Sequence, residues 1–423
     1  MFHDTKSLKS IKKRFNSSLI PLLLLLNFQL LYAQDAEEKS INVVTPSIDN
    51  YNFTKYGNLD MSSNNGGFSY SIPLYAVKQG KITLPISLNY YTDGVKVNDI
   101  AGLAGMNWNL VAGGMITRVV KDEPDEYAQT IKYRPDAQFM LDIIAGNYTD
   151  AEYLATKKQD AMNIWNTTYN SIGSTFYNKL DTEQDAYSFN FNGHSGNFYI
   201  ENDQIYLDTD EIGIHASYEK LQINGILTLK FAFTTPEGIK YTFGGTEETT
   251  ESSEISGDCA RAFRNPIPTT WHLKRIEYQN QTVTFSYQTI FKYYPYDYSQ
   301  SVTYKTYLKY AGCANSSPSS ITDCRTNFTT SNAKVLAKID FGTSKVEFNY
   351  LTQREDYYAG YLLNAITVNN GFQETDKINF NYIYSNSTTN NSPTPTVSVN
   401  KKRAFLESLT FKNNTVQRFE YNN

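Results

Sequence analysis

The 423-residue chain has few of the side chains that usually carry out catalysis or bind metals, since it contains four histidines and three cysteines. His3 lies in the N-terminal segment, which leaves His194, His215 and His272 for the rest of the chain. The cysteines form no C-x-x-C pair and have no histidine nearby, which argues against a zinc site. We therefore expect no bound metal, no cofactor and no enzymatic activity.

Charged residues are also scarce, at 19% of the chain. Residues 1–33 hold five of the 38 basic residues and one of the 43 acidic residues, so the chain without them carries a net charge of −9. Proteins bind nucleic-acid backbones through clustered lysine and arginine, so we expect no nucleic-acid partner. The 34 tyrosines and 24 phenylalanines instead favour a fold made mainly of strands.

The sequence also lacks an apolar run long enough to cross a bilayer. The longest candidate, Leu19–Ala33, spans about 15 residues, is interrupted by Pro21 and Asn27, and is shorter than the roughly 20 residues that a membrane helix needs. It ends at a cleavage pattern, Leu31-Tyr32-Ala33, and no cysteine follows it. A basic region precedes it, formed by Lys6, Lys9, Lys12, Lys13 and Arg14.

These features predict a Sec-type signal peptide over residues 1–33, followed by a charged leader over 34–44. We expect the chain to be exported to the periplasm, the cell surface or the medium, with no membrane span after cleavage. The remaining residues, 45–423, are predicted to form one β-rich region.

The first half of this region shows the alternation of half-buried strands. Apolar and polar residues alternate from Phe68 to Leu74, and again from Ile82 to Tyr90, with a Gln79-Gly80 turn between the two runs. Pro85 lies in the second run, which predicts an edge strand or a bulge at that position. Gly113-Gly114 predicts a close backbone approach or a bulge.

The second half contains an irregular internal repeat. Each copy starts with Leu-x-x-Ile or Leu-x-x-Leu, continues through a short polar turn, and ends on Phe-x-Tyr, which is typical of a β-hairpin. The four copies run from Leu273 to Tyr287, from Leu336 to Tyr350, from Leu363 to Tyr382 and from Leu406 to Tyr421. Successive hairpins can pair edge to edge. The predicted fold is therefore mainly β, with large curved antiparallel sheets built from successive hairpins and a small helical insertion.

Three segments interrupt these patterns. Residues 126–180 carry apolar side chains at helical spacing, which predicts the helical insertion. Residues 246–265 and 291–332 are rich in Thr, Ser and Tyr and are predicted to be loop insertions. Cys313 and Cys324 could form a local disulfide in the second loop, which leaves Cys259 free or paired elsewhere. The same loop carries tyrosines that could bind a glycan or a protein, namely Tyr293, Tyr294, Tyr296, Tyr298, Tyr304, Tyr307 and Tyr310.

Several stretches resemble a known family. They are YSIPLY from Tyr70, LPISLNYY from Leu84, GVKV from Gly94, GLAGMNWNLVAGGMITR from Gly102 to Arg118, DTEQDAYSFNFNGHSGNF from Asp181 and TWHLKRI from Thr270. They are similar to the N-terminal region of RHS/YD-repeat proteins from Bacteroidetes-type bacteria. They are similar more distantly to the opening of the toxin-complex B component and of the Salmonella virulence plasmid B protein.

The resemblance implies a β-sheet shell protein, because in that family an N-terminal region leads into YD repeats that curl into a cocoon around a toxin or effector. This sequence ends without a YD-repeat array, so we expect either the first part of a longer protein or a stand-alone copy. The predicted function is a non-enzymatic exported scaffold whose partners are a downstream shell and its toxin cargo. The alternative is a secreted module that binds a surface glycan or protein.

Two patterns in the sequence could instead indicate a hydrolase. Gly193-His194-Ser195-Gly196 lacks the glycine at position 197 that a nucleophile elbow requires, and it follows an Asn-Gly turn typical of a hairpin. Acidic residues form two clusters that could supply paired carboxylates. We expect both clusters to be solvated or to cap helices. Their members are Asp122, Glu123, Asp125 and Glu126 in the first, and Asp181, Glu183 and Asp185 in the second.

Overall fold

A computed structural model of the chain describes sixteen stretches, all within one unit from Asn42 to Asn423. They are residues 43–44, 50, 68–92, 100–121, 124–125, 131–132, 180–181, 184–201, 203–209, 212–257, 266–289, 296–303, 320–330, 332–356, 360–386 and 402–421. Strands dominate this part of the chain, which contains no helix of seven or more residues. The prediction of a mainly β fold is confirmed.

The strands follow in chain order. The first ten are β1 (Val43–Val44), β2 (Phe68–Gln79), β3 (Ile82–Thr92), β4 (Trp108–Val111), β5 (Gly114–Lys121), β6 (Ile131–Lys132), β7 (Leu180–Asp181), β8 (Ala186–Phe191), β9 (His194–Glu201) and β10 (Gln204–Asp208). The next eight are β11 (His215–Ile223), β12 (Ile226–Thr234), β13 (Lys240–Gly244), β14 (Thr250–Gly257), β15 (Ile267–Tyr278), β16 (Gln281–Thr289), β17 (Tyr296–Thr303) and β18 (Ser320–Thr330). The last eight are β19 (Lys334–Phe341), β20 (Ser344–Asn349), β21 (Thr352–Gln353), β22 (Tyr361–Leu362), β23 (Ala365–Asn370), β24 (Gln373–Asn386), β25 (Lys402–Phe411) and β26 (Val416–Arg418).

The repeat hairpins lie in one long antiparallel ladder, which we call the repeat sheet. Its strands pair in the order β11, β12, β13, β15, β16, β19, β20, β23, β24, β25 and β26. The four copies of the repeat are the hairpins β15–β16, β19–β20, β23–β24 and β25–β26. The second strand of each of the first three hairpins pairs with the first strand of the next. The predicted edge-to-edge arrangement is therefore confirmed.

A second antiparallel ladder shares β15 with the first, and we call it the crossing sheet. Its strands pair in the order β10, β9, β8, β5, β15, β14, β18 and β17. Strand β15 belongs to both ladders, because its first half pairs with β5 and β14 and its second half with β13 and β16. All seven residues from Ile267 to Leu273 are buried, as expected for a strand covered on both faces.

The hairpin β2–β3 and strand β4 form a separate three-stranded sheet. On β3 the side chains of Ile82, Leu84, Ile86 and Leu88 are buried, as the alternation predicted. A bulge at Leu74 shifts the pairing on β2, so that Val77 becomes the next fully buried residue after it. Tyr70 was predicted to share the buried face, but it is 47% exposed.

One hydrophobic cluster joins the three sheets, since it contains Leu84 of β3, Phe189 of β8 and Ile339 of β19. Strand β5 approaches β8 very closely within it. A Cβ atom on Gly114 would lie 2.4 Å from the Cβ atom of Phe191, so only glycine fits there. The close approach predicted at Gly113-Gly114 is confirmed.

The two predicted loop insertions contain strands, which corrects that prediction. In the first, a 3-10 turn over Glu247–Thr249 leads into β14, whose residues from Thr250 to Ser253 are buried. Hydroxyl side chains take the place of apolar ones here, since Ser253 Oγ lies 2.9 Å from Thr269 Oγ1 and 3.3 Å from Thr330 Oγ1. In the second, β17 and β18 form an antiparallel pair that adds to β14.

The predicted helical insertion lies outside the described residues except at its ends. There β6 and β7 pair in parallel, with Ile131 opposite Leu180, which brings the two ends of the segment together.

Candidate functional site

Strand β15 carries a buried histidine at the junction of the two ladders. His272 Nε2 lies 3.0 Å from Glu251 Oε1, and both side chains are almost fully buried. Strand β14 positions the glutamate, because Thr250 and Glu251 pair with Trp271 and Thr270. A buried His–Glu pair is the arrangement in which a general base is held by an orienting carboxylate, so its surroundings decide what it can do.

The Glu251 carboxylate receives two further hydrogen bonds. The backbone N–H of Lys334 donates to Oε1 at 2.6 Å, and Asn50 Nδ2 donates to Oε2 at 2.8 Å. Asn50 Nδ2 also lies 3.3 Å from Thr270 Oγ1. The Glu251 carboxylate therefore links β14, β15, β19 and Asn50 through hydrogen bonds. Glu251 could not be recognised from the sequence, because it lies in a polar segment that is predicted to be a loop.

A small pocket lies beside His272, with a cavity volume of about 80 Å³. Most of its lining is apolar or aromatic. The lining residues are Asn50, Leu103, Ala104, Trp108, Asn109, Leu110, Ala112, Gly114, Met115, His272, Tyr287, Lys334, Val335, Leu336, Tyr350 and Leu363. Among these described residues no serine, threonine, cysteine or carboxylate is present that His272 could activate. The pocket is thus an apolar space beside a bonded histidine.

A second buried pair, of arginine and aspartate, lies in the crossing sheet. Arg118 Nη1 lies 3.5 Å from Asp185 Oδ2, and both side chains are fully buried. Arg118 Nε and Nη2 donate to the Pro268 carbonyl at 3.1 and 2.5 Å. The guanidinium also lies over the rings of Trp271 and Tyr187, at 5.3 and 5.8 Å from their centroids. Three of the stretches that carry the sequence resemblance therefore meet at one arginine.

Asp185 also corrects the expectation for the acidic clusters. Its backbone N–H donates to Asp125 Oδ2 at 3.2 Å, and the Asp125 N–H donates to Asp185 Oδ2 at 3.2 Å. The Lys121 N–H donates to Asp185 Oδ1 at 3.1 Å. The two clusters do meet, but Asp185 is a buried structural carboxylate and is not solvated. Asp181 is described only in its backbone, and Asp122, Glu123, Glu126 and Glu183 lie outside the described residues.

A third buried pair holds the segment before β4 against β25. Arg354 and Asp356 form a two-pronged pair with both distances 3.0 Å. Arg354 Nη2 donates to the Ala101 carbonyl at 2.6 Å, and the Ala404 N–H donates to Asp356 Oδ2 at 3.2 Å. The six buried acidic and basic side chains of the described residues therefore form three pairs, each of which joins separate elements.

Each repeat hairpin is closed by its last tyrosine, a contact that we call the tyrosine latch. The hydroxyl of that tyrosine donates to the backbone carbonyl of the leucine that begins the same copy. The pairs are Tyr287 to Leu273 at 2.7 Å, Tyr350 to Leu336 at 3.2 Å, Tyr382 to Leu363 at 2.7 Å and Tyr421 to Leu406 at 2.7 Å. The two ends of the Leu-to-Tyr sequence pattern are thus the two ends of one hydrogen bond.

Comparisons with known proteins found one solved structure. It is described as the N-terminal domain of effector protein SpvB from Salmonella typhimurium strain LT2, and it matches with a TM-score of 0.34 and 10% sequence identity. The match covers 83% of this chain and 99% of that chain. No family model and no curated protein matched.

The structure describes some of the residues that the sequence predicts as sites, and the others lie outside the described stretches. Asn192 and Gly193 form a turn with positive φ angles, and His194 and Ser195 begin β9, so the hairpin interpretation is confirmed against the nucleophile elbow. Cys324 lies on β18 and Tyr296 and Tyr298 on β17, each described in its backbone alone. Cys313, Tyr293, Tyr294, Tyr304, Tyr307 and Tyr310 lie outside the described residues, so the disulfide stays a prediction.

Two features are absent from the described stretches. No group of three His, Cys, Asp or Glu side chains there could hold a metal ion. No helix in the same stretches is long and apolar enough to span a membrane.

Replacing a latch tyrosine by phenylalanine is expected to lower the free energy of unfolding by about 1–3 kcal/mol per site, because a buried carbonyl loses its donor. Tyr287→Phe and Tyr382→Phe should show this loss in urea unfolding followed by circular dichroism. The matched control is Tyr361→Phe, since Tyr361 is 37% exposed and makes no latch. A control variant as unstable as the latch variants would contradict the role of the hydroxyl.

The latches also predict how stability depends on pH. Burial raises the pKa of Tyr287 and Tyr382 well above 10.0, and it raises the pKa of Tyr421 to about 12. The folded chain therefore keeps these protons where the unfolded chain has lost them, so the stabilisation is complete below about pH 10 and is lost as the pH rises through the folded-state values.

An alkaline titration followed by tyrosinate absorbance tests this. We expect a late phase near pH 12, coupled to unfolding. Tyr421→Phe should remove one tyrosine from that phase. A late phase of unchanged amplitude in this variant would contradict the assignment.

Proposed function

We propose that this chain is an exported, non-enzymatic structural protein that forms the N-terminal section of an RHS/YD-repeat shell. The observation that carries the proposal is the run of four latched hairpins, which add edge to edge into the repeat sheet. The tyrosine latch joins the two ends of each hairpin by a hydrogen bond. The second strand of each of the first three hairpins pairs with the first strand of the next. A unit of this kind builds extended sheet by addition, which is what a shell requires.

The buried ionisable side chains support a structural role. The Arg118–Asp185, His272–Glu251 and Arg354–Asp356 pairs each form a further hydrogen bond with a backbone group of another element, namely the Pro268 carbonyl, the Lys334 N–H and the Ala101 carbonyl. The polar groups around the pocket are also bonded, since the hydroxyls of Tyr287 and Tyr350 are held in latches. Polar groups bonded in this way stabilise the junction between the sheets.

On this proposal the signal peptide exports the chain, and its partners are further YD-repeat sheet and the toxin or effector that the sheet surrounds. An antibody against the chain, used on fractionated source cells, tests export and assembly. We expect a processed protein in the envelope or the medium, protected from protease as part of a larger assembly. Unprocessed chain in the cytosol, or complete digestion by dilute protease, would overturn the proposal.

The non-enzymatic part has its own test. The purified chain and the His272→Gln variant are assayed with ester, amide and glycoside substrates. We expect neither to show turnover above buffer. Turnover that disappears in the variant, while the variant keeps its native melting transition, would make the pocket beside His272 an active site.

A further inference from the structure

Two stacked tyrosines stand on the outer face of the β9–β10 hairpin. Tyr199 and Tyr206 are directly opposite each other, with ring centroids 5.1 Å apart and planes 11° from parallel. Their exposed fractions are 37% and 39%, among the largest of the aromatic side chains in the described stretches. The neighbouring residues Phe198 and Leu207 point to the opposite face and pack in the core. The hairpin thus has a buried side and an aromatic outer side.

Polar pairs flank the two rings along the strands. On one side Asn197 is opposite Asp208, and on the other Glu201 is opposite Gln204. Positions two residues apart on a strand share a face and lie about 7 Å apart. Each tyrosine therefore has a carboxylate within reach of any group that lies across the rings. We call these six residues the tyrosine face.

The tyrosine face carries two negative charges, on Glu201 and Asp208, and it has no basic side chain to neutralise them. No ion pair in the described part of the chain involves Glu201 or Asp208, and no lysine or arginine stands at an outward position of β8, β9 or β10 there. Several other exposed carboxylates have cationic partners. In the turn of this hairpin Asp203 pairs with Lys220, and elsewhere Glu219 pairs with Lys230, Glu277 with Arg275, Asp340 with Lys338 and Glu347 with Lys345.

We propose that the tyrosine face binds a basic segment of a partner protein, with an arginine or lysine side chain laid on the exposed ring surface. A cation over a tyrosine ring is attracted by the negative face of the ring, and arginine can also stack on it. Glu201 and Asp208 supply the opposite charge on either side. This surface is independent of the shell role and could act in a free chain or in an assembly.

Cross-strand aromatic pairs also stabilise hairpins, so the test must separate binding from folding. The probe is a capped peptide in which two arginines alternate with threonines, so that both arginines face one way. Its affinity for the full chain is measured by calorimetry at low salt, beside peptides with glutamate or glutamine in place of arginine. We expect binding of the arginine peptide alone, and weaker binding as salt is added.

The variants assign that binding to the tyrosine face. Tyr206→Ser and the double change Glu201→Gln with Asp208→Asn should each weaken binding about five- to tenfold. Tyr206→Phe should bind almost as the unaltered chain does, because it keeps the ring. The matched control is Tyr361→Ser, which removes another tyrosine with 37% exposure and should leave the affinity unchanged.

Three outcomes would overturn the proposal. They are equal binding of all three peptides, binding that the changes in the tyrosine face leave intact, and selective binding of neutral oligosaccharides on a glycan array that Tyr206→Ser abolishes. The melting transition of each variant shows whether the hairpin is intact, and Tyr206→Phe keeps the test valid if Tyr206→Ser is unstable.

Discussion

Replacing Arg118 by methionine is expected to lower the free energy of unfolding by about 3–5 kcal/mol, because it leaves the Asp185 carboxylate buried without its cation. The guanidinium also satisfies the Pro268 carbonyl and lies over Trp271, so its loss disturbs β5, β8 and β15 together. Urea unfolding followed by circular dichroism and tryptophan fluorescence measures the effect.

The control for this change is Arg275→Met. Arg275 lies on β15, the strand that Arg118 contacts, and it also forms an ion pair, with Glu277 at 3.1 Å, but its side chain is 47% exposed. We expect a loss below about 1 kcal/mol there. The double variant Arg118→Met with Asp185→Asn should be more stable than the sum of the single losses predicts, because it removes both charges. Equal losses for Arg118→Met and Arg275→Met would show that burial of the pair contributes nothing.

The second large effect is expected for Glu251→Ala, which should also lower the free energy of unfolding by about 3–5 kcal/mol. The carboxylate accepts hydrogen bonds from His272, the Lys334 N–H and Asn50, and each buried donor left without an acceptor costs about 1–3 kcal/mol. The measurement is again the urea transition, together with amide hydrogen exchange at Lys334, which should become faster.

Glu219→Ala is the matched change for Glu251→Ala, since the Glu219 side chain is 64% exposed and pairs with Lys230 at the surface. Glu219→Ala should lower the free energy of unfolding by less than about 1 kcal/mol. Glu251→Gln keeps one acceptor oxygen and should recover part of the loss. If Glu251→Gln were as unstable as Glu251→Ala, the negative charge would matter more than the number of acceptors.

The strands were predictable where their pattern is local. Alternation from Ile82 to Leu88 identifies a half-buried strand because successive side chains point to opposite faces, and every strand with one buried face shows it. The repeat from Leu273 to Tyr287 could be recognised for the same reason, since both strands of a hairpin are near each other in sequence. The phase change after Leu74 could not be predicted, because a bulge inserts one residue without a clear composition; Tyr70 lies before the bulge, in phase with the buried Ile72, and its exposure has no signal in the alternation.

The buried polar groups could not be predicted, because their partners are distant in the chain. Glu251 lies 21 residues from His272, 83 from Lys334 and 201 from Asn50. Its own neighbours are threonine and serine, which are more common in exposed loops than in buried strands. Asp185 was expected in solvent for the same reason, since nothing near it in sequence indicates Arg118.

The amino-acid sequence by itself determined the mainly β fold, the hairpins and the Leu-to-Tyr repeat, because each depends on side chains a few residues apart. Only the tertiary structure decided that β15 is shared by two ladders, that six acidic and basic side chains are buried as three pairs, and that Tyr199 and Tyr206 form an exposed stacked pair between unpaired carboxylates. These features depend on which distant strands become neighbours. Which distant strands pair depends on burying the apolar faces of all the strands together, so it cannot be predicted from any single segment.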